Sequence, residues 1–272
     1  MVKTEVTHVG KYLETGKISM KNQVAYRFDV FVRSILPFIR LFLAYALWKA
    51  LYAGQSVIGG MSFEMMMTYY LITSFLLRLD QSSGLVWETA EEIREGRFSK
   101  YMVRPISPLG HFLAAGLAKT LYVLLLVLPA VVVLAAFMHR ILLPPAGWMN
   151  LAGACLMGFM GLIFLCLLNY LTTMLAFKFN DITGWHLLKE NLVEFLSGSL
   201  VPLSLLPEWI QEAMRFFPFY YMQYLPASLY LGLKTEEFVP GLIILGLWIT
   251  GLYGLSVFVY HRFRRIYEGV GN

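Results

Sequence analysis

Two stretches of this chain are long enough to cross a bilayer and carry no charge at all: Leu151–Phe177 and Phe238–Tyr260. A membrane helix needs about 20 mostly apolar residues to cross a hydrocarbon layer of about 30 Å. A soluble fold can hide such segments only in its interior, and that interior must be wrapped in polar surface. This chain has too little of it. Of 272 residues, 58% are apolar and 14% are charged, against about 45–50% and about 25% in soluble domains. Mean hydropathy is +0.63. An ordinary cytosolic enzyme, a disordered chain and a disulfide scaffold are excluded. What fits is an all-α, polytopic membrane protein, whose outer surface can be as apolar as its core.

Four more runs bring the expected transmembrane helices to six. Thr120–Phe137 is uncharged, and His111–Lys119 lengthens it. Met61–Leu77 contains only Glu64, and Phe31–Ala53 holds Arg33, Arg40 and Lys49 among apolar and aromatic residues. Leu192–Leu206 is short, with Glu194 near its start and Gly198 and Pro202 inside. Pro207–Gly232 follows, interrupted by Pro207, Pro218 and Pro226. It reads as a re-entrant or interfacial helical hairpin between spans five and six, because broken backbone at membrane depth must be enclosed by protein or a wet cavity. The expected organisation is a polar segment 1–30, one membrane domain 31–260 and a basic tail 261–272. Within the domain lie a cytoplasmic loop, 80–110, and the outer hairpin, 207–232. The first thirty residues lack a compact apolar core, so no cleavable signal is expected. Cys155 and Cys166 are eleven residues apart in one helical run, about 16 Å of rise, too far to bridge.

Basic residues set the orientation. With both termini inside, fifteen Lys and Arg fall on the inner side and four, Lys49, Arg140, Arg215 and Lys234, on the outer. Trp48, Trp148 and Trp209 then fall at outer ends and Trp87 and Trp185 at inner ends, as an aromatic belt requires. The net charge of +5 is accounted for by topology and anionic lipid. No basic groove with stacking aromatics points to nucleic acid.

Two segments are expected at the inner surface. Met20, Val24, Phe28 and Phe31 form a stripe flanked by Lys17, Lys21 and Arg27, the pattern of an N-terminal amphipathic helix lying in the interface. In the loop, Glu88, Glu91, Glu92 and Glu95 share a helical face. Gly96 suits the helix C-terminus, and Pro105 and Pro108 stop any continuation. A short acidic helix between spans two and three follows.

Charges inside spans are functional candidates. Arg40, Lys119 and Glu194 lie at a similar expected depth, so Glu194 is predicted to pair with one or both cations. Lys49 and Glu64 are placed to pair near the outer face, and Arg33 to snorkel. There is no Gly-x-x-x-x-Gly-Lys-[Ser/Thr] phosphate loop and no His-Glu-x-x-His zinc site. Glu91-Glu92-Ile93-Arg94-Glu95 is one residue out of register with the Glu-Glu-x-x-x-Arg motif of intramembrane prenyl-protein proteases, and it lies in a polar loop.

This layout resembles the permeases of ABC-2 type exporters. Ile93-Arg94-Glu95-Gly96-Arg97-Phe98 through Leu109 is similar to that family's inner loop, a glycine followed by Arg-Pro. Ser197-Gly198-Ser199-Leu200-Val201-Pro202, with Leu206-Pro207 and Phe216-Phe217-Pro218, is similar to its fifth-span exit and outer hairpin. The resemblance implies a multi-pass subunit of a prokaryotic plasma membrane that is not itself an enzyme. It would pair with a second identical or sibling permease and with two cytoplasmic ATPases. ATP and Mg would bind in those partners, and this chain would carry no cofactor. Glu88, Glu91, Glu92, Arg94, Glu95 and Arg97 would form the coupling helix that docks on an ATPase. Met66, Tyr69, Tyr70, Gly198 and Pro202 are candidates for the path of an amphiphilic substrate. The rival reading is an ion-coupled secondary transporter, which calls for an inverted internal repeat. Residues 31–137 and 151–260 show no repeated motif.

Overall fold

A computed structural model describes residues 8–25, 27–103 and 106–264. In chain order the helices are α1 (His8–Ala25), α2 (Arg27–Leu51), α3 (Phe63–Leu79), α4 (Ser82–Arg94), the short α5 (Lys100–Val103), α6 (Pro108–Phe137), α7 (Trp148–Met174), α8 (Thr183–Leu196), α9 (Glu208–Met214), α10 (Leu225–Tyr230) and α11 (Phe238–Phe263). A π-helical turn, Tyr220–Tyr224, runs directly into α10, so residues 218–230 form one helix begun by Pro218. No strand occurs among the described residues.

Among the described residues, three helices are long and apolar enough to cross a membrane: α6, α7 extended by a 3-10 turn to Phe177, and α11 extended back to Thr235. They play different parts. Half of the apolar window of α7 is buried inside the protein, against 11% for α6 and 17% for α11. Helix α7 is therefore the central post, packed by α4, α6, α11 and residues 218–230. Its small residues allow this. A Cβ at Gly161 would sit 3.0 Å from the Met222 Cα and 3.2 Å from its carbonyl oxygen, so the π-helical turn lies directly on bare backbone. Gly161→Ala is expected to destabilise by about 1–3 kcal/mol through overpacking, less the ~1 kcal/mol that alanine gains in helix propensity. Gly246→Ala, with only Met160 Cε at 3.9 Å, should be neutral or mildly stabilising. Melting temperatures in one detergent compare the two.

The segment expected to span Leu192–Leu206 is not a continuous helix. Helix α8 starts earlier, at Thr183, and stops at Leu196. Gly198 then takes a left-handed φ of 78°, and Pro202 is extended before a 3-10 turn at Leu203–Leu205. Glycine adopts that conformation freely and proline cannot continue a helix. The 207–232 region contains the expected two helical pieces, α9 and residues 218–230. Residues Tyr220–Leu225 are buried, whereas Trp209 on α9 is exposed.

Two expectations about single residues change. Trp48 is buried and packs against the Tyr52 and Tyr70 rings, so it is no belt residue. Lys49 and Glu64 do not meet: Lys49 lies over the Tyr45 ring, and Glu64 accepts a 2.8 Å bond from the Ser62 hydroxyl. The N-terminal helix α1 packs on α6 through small residues, with Gly16 against Ala118 and Gly110 beneath the Tyr12 ring. Leu13 and Ile18 face outward. The side chains of Val24, Phe28, Phe31 and Arg33, together with Arg104, Pro105 and Arg265, lie outside the described residues.

Candidate functional site

Helix α4 rides on the end of the bundle where α3 finishes and α6 begins. The Asp80 carboxylate starts it by accepting from the Ser82 N–H at 2.9 Å and the Ser82 hydroxyl at 2.5 Å. Leu85, Val86, Ala90 and Ile93 form its buried face. A Cβ at Gly116 would lie 2.9 Å from Cys166 Sγ and 3.3 Å from Ser82 Cβ, so α4, α6 and α7 meet closely there. Gly96, at φ 77°, ends the helix with its N–H on the Ile93 carbonyl.

The four acids of α4 divide their work. Glu88 reaches inward to Lys119 on α6, 2.7 Å away, and Glu92 accepts from Lys100 on α5 at 2.5 Å. Glu95 pairs with Arg97 beyond the helix end. Arg94 donates to the Asn180 carbonyl at 3.3 Å. Glu91 is exposed and forms no ion pair among the described residues. The outcome is a clamped helix with an outward edge of Glu91, Arg94, Glu95 and Arg97.

The charges expected inside spans sort themselves into separate pairs. Arg40 on α2 forms an ion pair with Glu194 on α8. Lys119 goes to Glu88 rather than Glu194, because α4 folds back over the start of α6. Beside these pairs is a cavity of about 1270 Å³ between α1, the α3–α4 turn, α6 and α8. Glu14, Lys119, Glu190 and Glu194 give it charge, and Leu77, Leu165 and Val193 give it apolar surface.

None of the five candidate path residues lines this cavity. Met66 and Tyr69 are fully buried, and Tyr70 and Pro202 nearly so. They assemble a second feature instead. The Tyr69 hydroxyl donates to the Gly198 carbonyl at 2.6 Å, and the Tyr70 hydroxyl to the Leu200 carbonyl at 2.9 Å. Ser197 donates to Gln223 of the π-helical turn at 3.1 Å. The non-helical backbone after α8 is thus held by side chains of α3 and of residues 218–230, as buried carbonyls require.

Sequence reasoning missed the polar cluster behind α4. Asn169 of α7 donates to Asp80 at 3.1 Å and to the Ser82 hydroxyl at 2.8 Å, and accepts from Lys189 of α8. His186 Nε2 lies 3.1 Å from the Ser83 hydroxyl, with the Trp87 ring edge-on at 4.9 Å. Burial raises the Asp80 carboxyl above its ordinary value, against its bonds to Ser82. The signal in the sequence was slight: Asn169 is the only carboxamide past the first turn of an uncharged run. No cluster of His, Cys, Asp and Glu placed to hold a metal occurs among the described residues.

A family model described as ABC-2 family transporter protein matches residues 38–271. No curated protein and no solved structure matches the chain.

Proposed function

This chain belongs to the ABC-2 transporter family and is a membrane permease of an ABC transporter; from that premise we propose that it moves an amphiphilic substrate, a drug or lipid, outward from the cytoplasm or inner leaflet. Membership implies an ATPase partner. The chain has no phosphate loop, so it hydrolyses no ATP itself and takes its power stroke from that partner, where ATP and Mg bind. Helix α4 is the docking element. The observation that carries this reading is its outward edge of Glu91, Arg94, Glu95 and Arg97 on a helix tied inward by Glu88 and Glu92. A push on that edge is passed to α6 and α7 because α4 has no freedom to yield alone.

In this reading the chain crosses the cell membrane six times with both termini cytoplasmic, and residues 207–232 form the re-entrant outer hairpin. The fifth crossing is α8 with the bent segment after it, a discontinuous helix of the kind tolerated where protein encloses it. Two permeases, identical or siblings, pair across α2 and α8, where Phe42, Leu43, Leu188 and Leu192 lie exposed. Lipid covers the outer faces of α6 and α11. The cavity, lined by both charged and apolar side chains, suits an amphiphile's two ends.

The test is co-expression with candidate ATPase subunits, followed by purification and transport in proteoliposomes. The permease is expected to retain an ATPase, and recovery of one or two permease types identifies the dimer. Glu91→Lys with Glu95→Lys should insert normally and lose at least about tenfold of ATP-dependent transport, the equivalent of ~1.4 kcal/mol. Undiminished transport removes α4 from the coupling role. Transport without any ATPase, driven by an ion gradient, would favour the secondary-transporter reading instead.

A further inference from the structure

Asn169 is completely buried on α7, and its carboxamide is the place where three other elements meet. The amide nitrogen donates to Asp80, which closes α3, and to the Ser82 hydroxyl, which opens α4. The carbonyl oxygen accepts from Lys189 of α8. A neutral side chain is thus inserted between an anion on the α3–α4 turn and a cation on α8. Both elements take their register from it. If either shifts, the buried carboxamide is left with an unsatisfied donor or acceptor, while Lys189 keeps its ion pair with Glu190 of the same helix.

Helix α8 continues the chain of contacts. At its start His186 meets Ser83 and Trp87 of α4. Eight residues on, about 12 Å along the axis, Glu194 is paired with Arg40 of α2. Directly after the helix, Gly198 and Leu200 are held by Tyr69 and Tyr70. So α8 is gripped at one end by the α4 assembly and ends at the other in the only bent stretch of that run.

We propose that Asn169 is a positioning residue that carries displacement of α4 to α8, and through α8 to the Gly198–Pro202 segment. The inference rests on the reading of α4 as the ATPase-docking helix. It goes beyond that reading in assigning the transmission step to one carboxamide and one lysine, and not to packing in general.

The experiment uses the permease in complex with its ATPase in lipid nanodiscs. Cys155, which is exposed, is removed by Cys155→Ser, and Leu200→Cys supplies a thiol at a half-exposed position. Maleimide labelling is timed without nucleotide and with ATP plus vanadate. With Asn169 present, the rate is expected to differ between the two states by about fivefold or more, the lower end of typical coupling between sites. Asn169→Ala should abolish the difference, while the ATPase still co-purifies and still hydrolyses ATP at its basal rate. Lys189→Leu cuts the α8 arm and should do the same, which decides the matter if Asn169→Ala folds poorly. Because Lys189 is also paired with Glu190, Glu190→Gln, which breaks that pair and not the bond to Asn169, is the control and should keep the difference. A difference that persists in the variants overturns the role of Asn169 and leaves α4 docking intact. No difference in the unsubstituted background overturns transmission to the Gly198–Pro202 segment, whereas loss of the ATPase from the Glu91→Lys, Glu95→Lys variant is what tests docking by α4.

Discussion

Glu194→Arg is expected to be the most damaging single charge change in this protein. It would set two guanidinium groups against each other where Arg40 and Glu194 now pair. Removing one partner of a buried pair costs about 3–5 kcal/mol, because the other charge stays behind without compensation. The side chains retain 32% and 28% exposure in the isolated chain, which places the loss near the lower end of that range. The swapped double variant, Arg40→Glu with Glu194→Arg, should recover about 1–3 kcal/mol as pairwise coupling. Melting temperatures in detergent for the four proteins of the cycle measure this. Strictly additive losses would mean that the two residues act independently.

Tyr69→Phe should produce the second large effect, through one oxygen atom. Its hydroxyl is the donor to the buried Gly198 carbonyl, and the removal of that donor leaves an acceptor unsatisfied, at about 1–3 kcal/mol. Tyr70→Phe makes the informative control. Its acceptor belongs to Leu200, whose side chain is half exposed, so the carbonyl has an alternative in water and the loss should be smaller. Gly198→Ala attacks the same contact from the other side. A Cβ there would lie 2.9 Å from both the Tyr69 hydroxyl and Leu203 Cγ, and the left-handed backbone adds about 1–2 kcal/mol for any residue with a Cβ. If Tyr69→Phe and Tyr70→Phe melt together at the temperature of the unsubstituted chain, neither tyrosine holds the segment.

Much of the architecture was legible in local pattern. Apolar runs marked α6, α7 and α11 to within a turn, since run length and freedom from charge are properties of contiguous sequence. The acidic helix and its Gly96 terminus were legible for the same reason: a 3.6-residue period and a left-handed glycine are local. The bend after α8 was less so. Gly198 and Pro202 signalled an interruption, but only the structure places it at the end of a helix of about four turns that begins at Thr183.

What sequence alone determined is the class of solvent this chain must fold in and which segments are helical, because both follow from composition and short-range periodicity. What only the tertiary structure decided is who meets whom. Lys119 had Glu194 and Glu88 as carboxylates to choose from, and took Glu88 because α4 folds back over α6. Trp48 looked like a boundary residue and is buried against Tyr70. Asn169 has little to mark it along an uncharged run, yet it joins α7 to the α3–α4 turn and to α8. A side chain's identity limits the bonds it can make. The partner that makes them is set by how helices distant in sequence come to lie side by side, and no spacing along the chain encodes that directly.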